Sequence, residues 1–458
     1  MAVGYAAFSA SLKINGMVSI SSIWEVEFTK IEEISKTSGV TIKTPPTASG
    51  TTATFDVDVH APGDKIVYRI TIENKGTINA IISDIKATET GNDAIKFEII
   101  GIKKGDKLAG KASTTFNVII SFDDSVTEQP GILNDDLTID INYIQDTGQI
   151  IPGEDVVVEV PPTLAKKILS DNTAQPDTNI DFSQISSDTN GKGLYYTSTN
   201  TEDNKTTYYF RGAVENNYVS FANNIWRIVR INEDGSIRLI KQDLIGYSAF
   251  NTNSSDAAYV GYMYGTAGST TYEATHANTN SSDVKTAIDT WYSANLSTYS
   301  SYLADAGFCG DRSLSSGTGI GTTDTNYGAY DRLFTKISPQ FKCPQTNDLY
   351  TTATSANGNK ALTYPIGLIT VDEVAYAGGV YGEINNNYYL LNNEFFLTMS
   401  PFRSDSDASV WVVDPDGYLD DVYVSHGRGV RPVINLKSTA MVSIGTGTSS
   451  NPYVIKTS

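Results

Sequence analysis

Apolar and polar residues alternate through the first third of the chain. Phe8, Ala10, Leu12 and Ile14 are separated by Ser9, Ser11 and Lys13, a period of two that gives a strand one apolar face. The same alternation predicts strands over residues 24–31, 51–60, 65–74, 78–88, 95–102, 113–122 and 137–144. Turn chemistry divides them, as at Pro62-Gly63-Asp64, Asn74-Lys75-Gly76 and Gly91-Asn92-Asp93. Many short strands at close spacing, with no helical period, predict a β-sandwich. The strand of Phe8, Ala10, Leu12 and Ile14 has two readings. It is either the first strand of its own sheet or a donor strand that completes the sheet of another copy.

Past residue 145 the alternation breaks. Residues 146–162 hold a short apolar run framed by prolines, which reads as an extended linker or a last edge strand. Thr163 is placed to cap a short helix over 164–169, and the polar stretch 170–193 reads as surface. From Leu194 strands return. Residues 194–212 form two strands around a polar turn. A hairpin follows with Asp234-Gly235 at its bend, setting Trp226, Ile228 and Val229 against Ile237, Leu239 and Ile240. Residues 246–281, rich in Thr, Ser, Asn, Tyr and Gly, read as a surface excursion. Ser282-Asp283 opens a helix with Val284, Ile288 and Trp291 at i, i+4 and i+7, Trp291 anchoring it to the core. Thr370 and Glu373 form a capping box for a short helix ending at Gly378.

Residues 394–436 mix two kinds of chemistry. Phe395, Phe396, Leu397, Met399, Val410 to Val413, Val430, Val433, Ile434 and Leu436 are framework types. Between them lie polar segments rich in Asp, Ser, Tyr, Arg and His. Rigid strands carrying such loops make a recognition surface. The candidate contacts are Arg403, Asp405, Tyr418, Asp420, Asp421, Tyr423, Ser425, His426 and Arg428, because Tyr and Arg join large area to hydrogen bonding. The competing reading of each is an ordinary solvated loop residue. Four carboxylates gather at Asp414, Asp416, Asp420 and Asp421, but the calcium-loop spacing is missing, and a hairpin with Asp416-Gly417 at its tip fits better. Arg431, inside an apolar strand, reads as a structural guanidinium bonded to backbone carbonyls or a buried carboxylate.

Composition narrows the classes. The chain has 458 residues, too many for one ordinary domain, and a net charge of −19. That charge argues against nucleic acid and anionic membrane surfaces as partners. Charged residues are only 19% while tyrosines number 27, a balance suited to a secreted β-protein. Cys309 and Cys343 are the only cysteines, and the three histidines are scattered, so no zinc cage is expected. In an extracellular protein the pair reads as one disulfide worth about 3–4 kcal/mol, with two buried thiols as the alternative. No apolar run is long enough to span a bilayer, so no membrane span is expected in the mature chain. MAVGYAAFSA looks like the tail of an export signal, with Met1 a replacement start. No GxSxG, HExxH or phosphate loop occurs, so no catalytic residue, metal or cofactor is assigned.

Three resemblances add to these readings. TMSPFRS, ASVWVVDPDGYLDD and GRGVRPVINL resemble the end of C-type-lectin-like surface domains of gut Firmicutes, related to the formylglycine-generating enzyme fold. WRIVRI, the Trp291 helix and ALTYPIGLITVDEVAYAGG follow the order that resemblance implies. The enzyme's reactive cysteine pair has no counterpart in the corresponding C-terminal strands. GYAAFSASLKINGMVSI and WEVEFTKI resemble the start of camelysin-type exported biofilm fibre subunits of Firmicutes, whose N-terminal strand links neighbouring subunits. Residues 63–87 resemble a strand–turn–strand of bacterial surface Ig-like repeats.

The expected protein is mainly β: an Ig-like or jelly-roll β-sandwich followed by a C-type-lectin-like α+β domain. Its divisions are a donor strand (1–15), the sandwich (16–160), a linker (161–193) and the lectin-like domain (194–458). The expected function is that of an extracellular, cell-surface fibre or pilus subunit bearing an adhesive domain. Its expected partners are other copies of itself and a host or cell-surface glycan or protein. A monomeric secreted binding protein is the alternative, and a formylglycine-generating-type enzyme the least favoured.

Overall fold

A computed structural model describes residues 23–89, 91–92, 94–127 and 135–457. The expected strand of Phe8, Ala10, Leu12 and Ile14 lies outside these residues. The chain forms two compact units, one ending at Val160 and the other starting at Pro161. Both are β-rich and built from several sheets, with helix confined to short segments.

In the first unit the strands are β1 (Val26–Lys36), β2 (Val40–Ser49), β3 (Thr52–Val59), β4 (Lys65–Asn74), β5 (Ala80–Glu89), β6 (Ile95–Ile100), β7 (Lys107–Leu108), β8 (Ser113–Phe122), β9 (Leu137–Gln145) and β10 (Val158–Glu159). One four-stranded sheet runs β1-β4-β8-β6. In a second, β5 pairs with β9 along its length and with β7 and β10. The alternation in sequence becomes alternation in burial. Ile66, Tyr68, Ile70 and Ile72 of β4 and Phe116, Val118 and Ile120 of β8 share a core with Ile82 and Ala87 of β5. Each such aliphatic side chain contributes about 1.5–3 kcal/mol by leaving water.

The hairpin of β2 and β3 is only half visible in the sequence. β3 alternates, but Pro45 and Pro46 interrupt β2, and the ladder skips a residue or more there. Proline is tolerated in such a peripheral strand because its missing N–H is not needed. Phe55 of β3 stacks on Tyr68, with ring centroids 5.5 Å apart.

The second unit begins earlier than the expected linker allowed. The helix Leu164–Asp171 is capped by the Thr163 hydroxyl, which accepts from the Lys166 N–H. Leu164 and Ile168 are fully buried in this unit's core. A ten-stranded sheet centres on the hairpin of Asn224–Ile231 and Ile237–Lys241, and Val433–Leu436 pairs with the latter. A seven-stranded sheet holds Phe396–Ser404, Ala408–Val413 and Leu419–Tyr423 side by side. The two sheets share one core.

One expectation is extended and one corrected here. The helix Asp283–Asn295 buries Val284, Ile288 and Tyr292, so the inward stripe passes through position i+8. Trp291 lies at the stripe's edge, half-buried, its ring edge-on to Trp226 at 6.2 Å. The stretch 246–281 is also not merely surface, since Ala257, Ala258, Val260 and Tyr262 are fully buried. Small residues there let the backbone pack close.

Cys309 and Cys343 form a disulfide, their Cα atoms 5.5 Å apart. Arg431 is fully buried and donates to the carbonyls of Lys241 (2.9 Å) and Leu390 (2.7 Å). Among the described residues no helix is long and apolar enough to cross a membrane.

Candidate functional site

The three polar segments, residues 403–407, 414–421 and 423–428, are carried by strands of one sheet. Phe396, Leu397, Met399 and Phe402 anchor the first strand in the core, and the ladder shifts register beside Pro401. The loop after it is a tight turn in which the Asp405 carboxylate accepts from the Asp407 N–H at 3.0 Å. Arg403 pairs with Asp405 and lies 4.0 Å from Asp324. The Asp407 amide and the Arg403 guanidinium hold the Asp405 carboxyl below its usual range.

The second loop is a hairpin. Gly417 donates to the Asp414 carbonyl and Asp414 to the Tyr418 carbonyl, both at 2.9 Å. Gly417 has φ +79°, and a Cβ there would lie 2.1 Å from the Asn385 carbonyl oxygen, so both conformation and space demand glycine. A neighbouring loop grips this turn. Asn385 donates to the Asp416 carbonyl at 3.1 Å, Tyr381 bridges to Leu419, and the Tyr388 hydroxyl donates to the Gly417 carbonyl at 3.4 Å. The polar segments are less purely polar than their composition suggests, because Leu419, Val422 and Val424 are buried.

In the third loop His426 donates its N–H to the Tyr423 carbonyl at 2.9 Å, and the two rings meet edge-on. Ser425 lies half-buried between them in the chain. The Arg428 guanidinium sits 4.9 Å over the Phe395 ring, a cation–π contact.

Five of the nine candidate residues fall into two charged groups. Asp420 pairs across the ladder with Val412 and Asp421 with Trp411, so their side chains leave opposite faces. Asp421 joins Arg403 and Asp405. Asp420 joins Asp414, Asp416 and Arg428. Burial, with Asp420 and Asp416 adding like charge, pushes the Asp414 carboxyl up to about 6. One Asp414 oxygen is buried without a hydrogen-bond partner among the described residues. Among the described residues no group of three or more His, Cys, Asp or Glu is arranged to hold a metal ion.

Sequence reasoning missed a set of rings beside these carboxylates. Tyr330 and Phe334 lie 5.1 Å apart, Phe334 and Tyr381 5.3 Å, and Tyr381 and Trp411 5.4 Å. Burial, then Asp420 and Asp421, raises the Tyr381 hydroxyl pKa. Tyr330 and Phe334 are distant in sequence from the three loops, so no local pattern tied them together.

The first unit carries a second candidate. Among the described residues β1 pairs in a ladder only with β4, and β9 only with β5. Beyond its ladder, Phe28 of β1 donates one bond to the Gly50 carbonyl at 2.7 Å. Between β1 and β9 lies a groove of about 190 Å³, lined by Val26, Phe28, Ile72, Ile139, Ile141 and Tyr143 among others. The Tyr143 hydroxyl is buried without a partner among the described residues, and its pKa is pushed up to about 12 by burial.

No family model, no curated protein and no solved structure matches this chain.

Proposed function

We propose that this chain is an exported structural subunit of a bacterial surface fibre. The strand of Phe8, Ala10, Leu12 and Ile14 enters the groove of a neighbouring copy, and the second unit binds a ligand through the loops of residues 394–436. In this reading the first unit is an Ig-like or jelly-roll β-sandwich short of one strand, and the second unit is C-type-lectin-like.

The groove between two strand edges, with apolar side chains from both strands in a mixed lining, carries the proposal. Unpaired strand edges invite another strand. Residues 8–14 extend about 23 Å at ~3.3 Å per residue, and their alternate apolar side chains would meet Val26, Phe28, Ile139 and Ile141 of the groove. Repetition along a fibre then gives weak ligand sites avidity.

One observation favours the alternative, a monomer whose own first strand fills its own groove: Val26, close after that strand in sequence, itself lines the groove. A peptide of residues 5–15 added to a truncation starting at Gly16 tests whether the groove accepts this strand. Binding at one hundred times Kd stabilises the fold by about 2.7 kcal/mol. The expected result is a rise in Tm of several degrees, absent with a peptide carrying Leu12→Lys. No shift with either peptide would contradict the proposal, and filament formation by the full chain separates donation from fold-back.

A further inference from the structure

The rings of Tyr330, Phe334 and Tyr381 form a ledge at the surface of the second unit. Phe334 is 50% exposed, large for an apolar ring in a folded domain, and Ile384 nearby in the loop is 54% exposed. The ledge is rigid. Tyr381 stands edge-on to the fully buried Trp411, and Tyr330 edge-on to the buried Phe402. Between Tyr330 and Phe334, Arg332 donates to both oxygens of Asp372 (2.9 and 2.7 Å) and to Asp311 (2.6 Å). This segment is one turn of π-helix, a form frequent at functional sites. Core contacts and ion pairs therefore hold an exposed ring in place, which lowers the entropy cost of binding on it.

Carboxylates border the rings. The bridge between Tyr381 and Leu419 sets the ring-bearing loop beside the strand Leu419–Tyr423, and Asp421, opposite Trp411 in the ladder, leaves on the Trp411 face. Glu383 and Asp416 are exposed on the same pair of loops. The nearby cations are already paired, Arg403 with Asp405 and Arg332 with Asp311 and Asp372. Aromatic faces attract cations through their quadrupole, and a planar guanidinium stacks on them especially well.

We infer that the Tyr330–Phe334–Tyr381 ledge, with Asp421, receives a cationic side chain, arginine above all, from a basic peptide segment of a protein partner. The inference rests on reading the second unit as the ligand-binding part, and it names the class of ligand. The chain's net charge of −19 would steer such a partner toward it.

Fluorescence anisotropy of a labelled (Gly-Arg)4 peptide with the full chain tests this, with Phe334→Ala, Asp421→Asn and a labelled neutral hexasaccharide alongside. Phe334 is half-exposed, so its alanine variant keeps the fold, as circular dichroism would verify. The expected result is saturable peptide binding that weakens at least tenfold in each variant, with no oligosaccharide binding. Peptide binding unchanged in Phe334→Ala would overturn the inference, since it would report only net charge. Oligosaccharide binding that depends on Phe334, without peptide binding, would overturn it too, while leaving the ligand-binding reading intact. Binding of neither probe would overturn it without bearing on the fibre.

Discussion

Single residues carry much of the electrostatic design of the second unit. Asp414 is an acid whose folded pKa, about 6, stands above its ordinary 3.8. Between those values the folded state holds more protons than the unfolded state, so this group's contribution to stability falls as pH rises through the window. Asp414→Asn should therefore stabilise the protein at neutral pH, by ~1 kcal/mol after allowing for solvent screening, and the gain should fade toward about pH 4. Urea unfolding of both proteins at two pH values reads this directly. Arg431 shows the opposite logic. Its guanidinium satisfies two buried carbonyls, so Arg431→Ala should cost about 3 kcal/mol by orphaning them. That role was legible in sequence, because a charge inside Val430-Arg431-Pro432-Val433 has no route to water. The pairing of Asp420 with one group and Asp421 with another was legible only once the register was known.

Capping and crosslinking act at the level of elements. Thr370 and Glu373 close a capping box, and Glu373 also binds Arg230 (3.2 Å) and Arg238 (2.5 Å) from the central hairpin. Thr370→Ala should lower stability by about 1 kcal/mol. Glu373→Ala should cost ~3–5 kcal/mol, because two buried guanidiniums lose their common partner. Chemical denaturation of the two variants separates these values. The capping box was readable from four consecutive residues, whereas the arginines that share Glu373 lie about 140 positions away. Reduction, or Cys309→Ser, should remove about 3–4 kcal/mol by freeing the 34-residue loop, seen as a lower Tm with the fold retained. Strands with clean alternation, such as β4 and β8, were readable to the residue. β2 was not, because Pro45 and Pro46 mask a strand that survives only at the periphery of its sheet. The helix of residues 283–295 was found but rotated in expectation, since a 3.6-residue period leaves Trp291 and Tyr292 almost equally placed.

For the whole molecule, the central claim is that the first unit lends a strand and accepts one. Two multi-sheet units divided at Val160 and Pro161 suit a subunit with one part for assembly and one for binding. Composition and the turn-rich spacing already pointed to more than one β-rich unit. The groove between β1 and β9 could not be read from sequence, because it depends on which strands are left at the edges. Electron microscopy of the purified full chain beside a truncation starting at Gly16 tests the claim most directly. Strand donation predicts filaments from the full chain and single particles from the truncation. Single, monodisperse particles from both would contradict it.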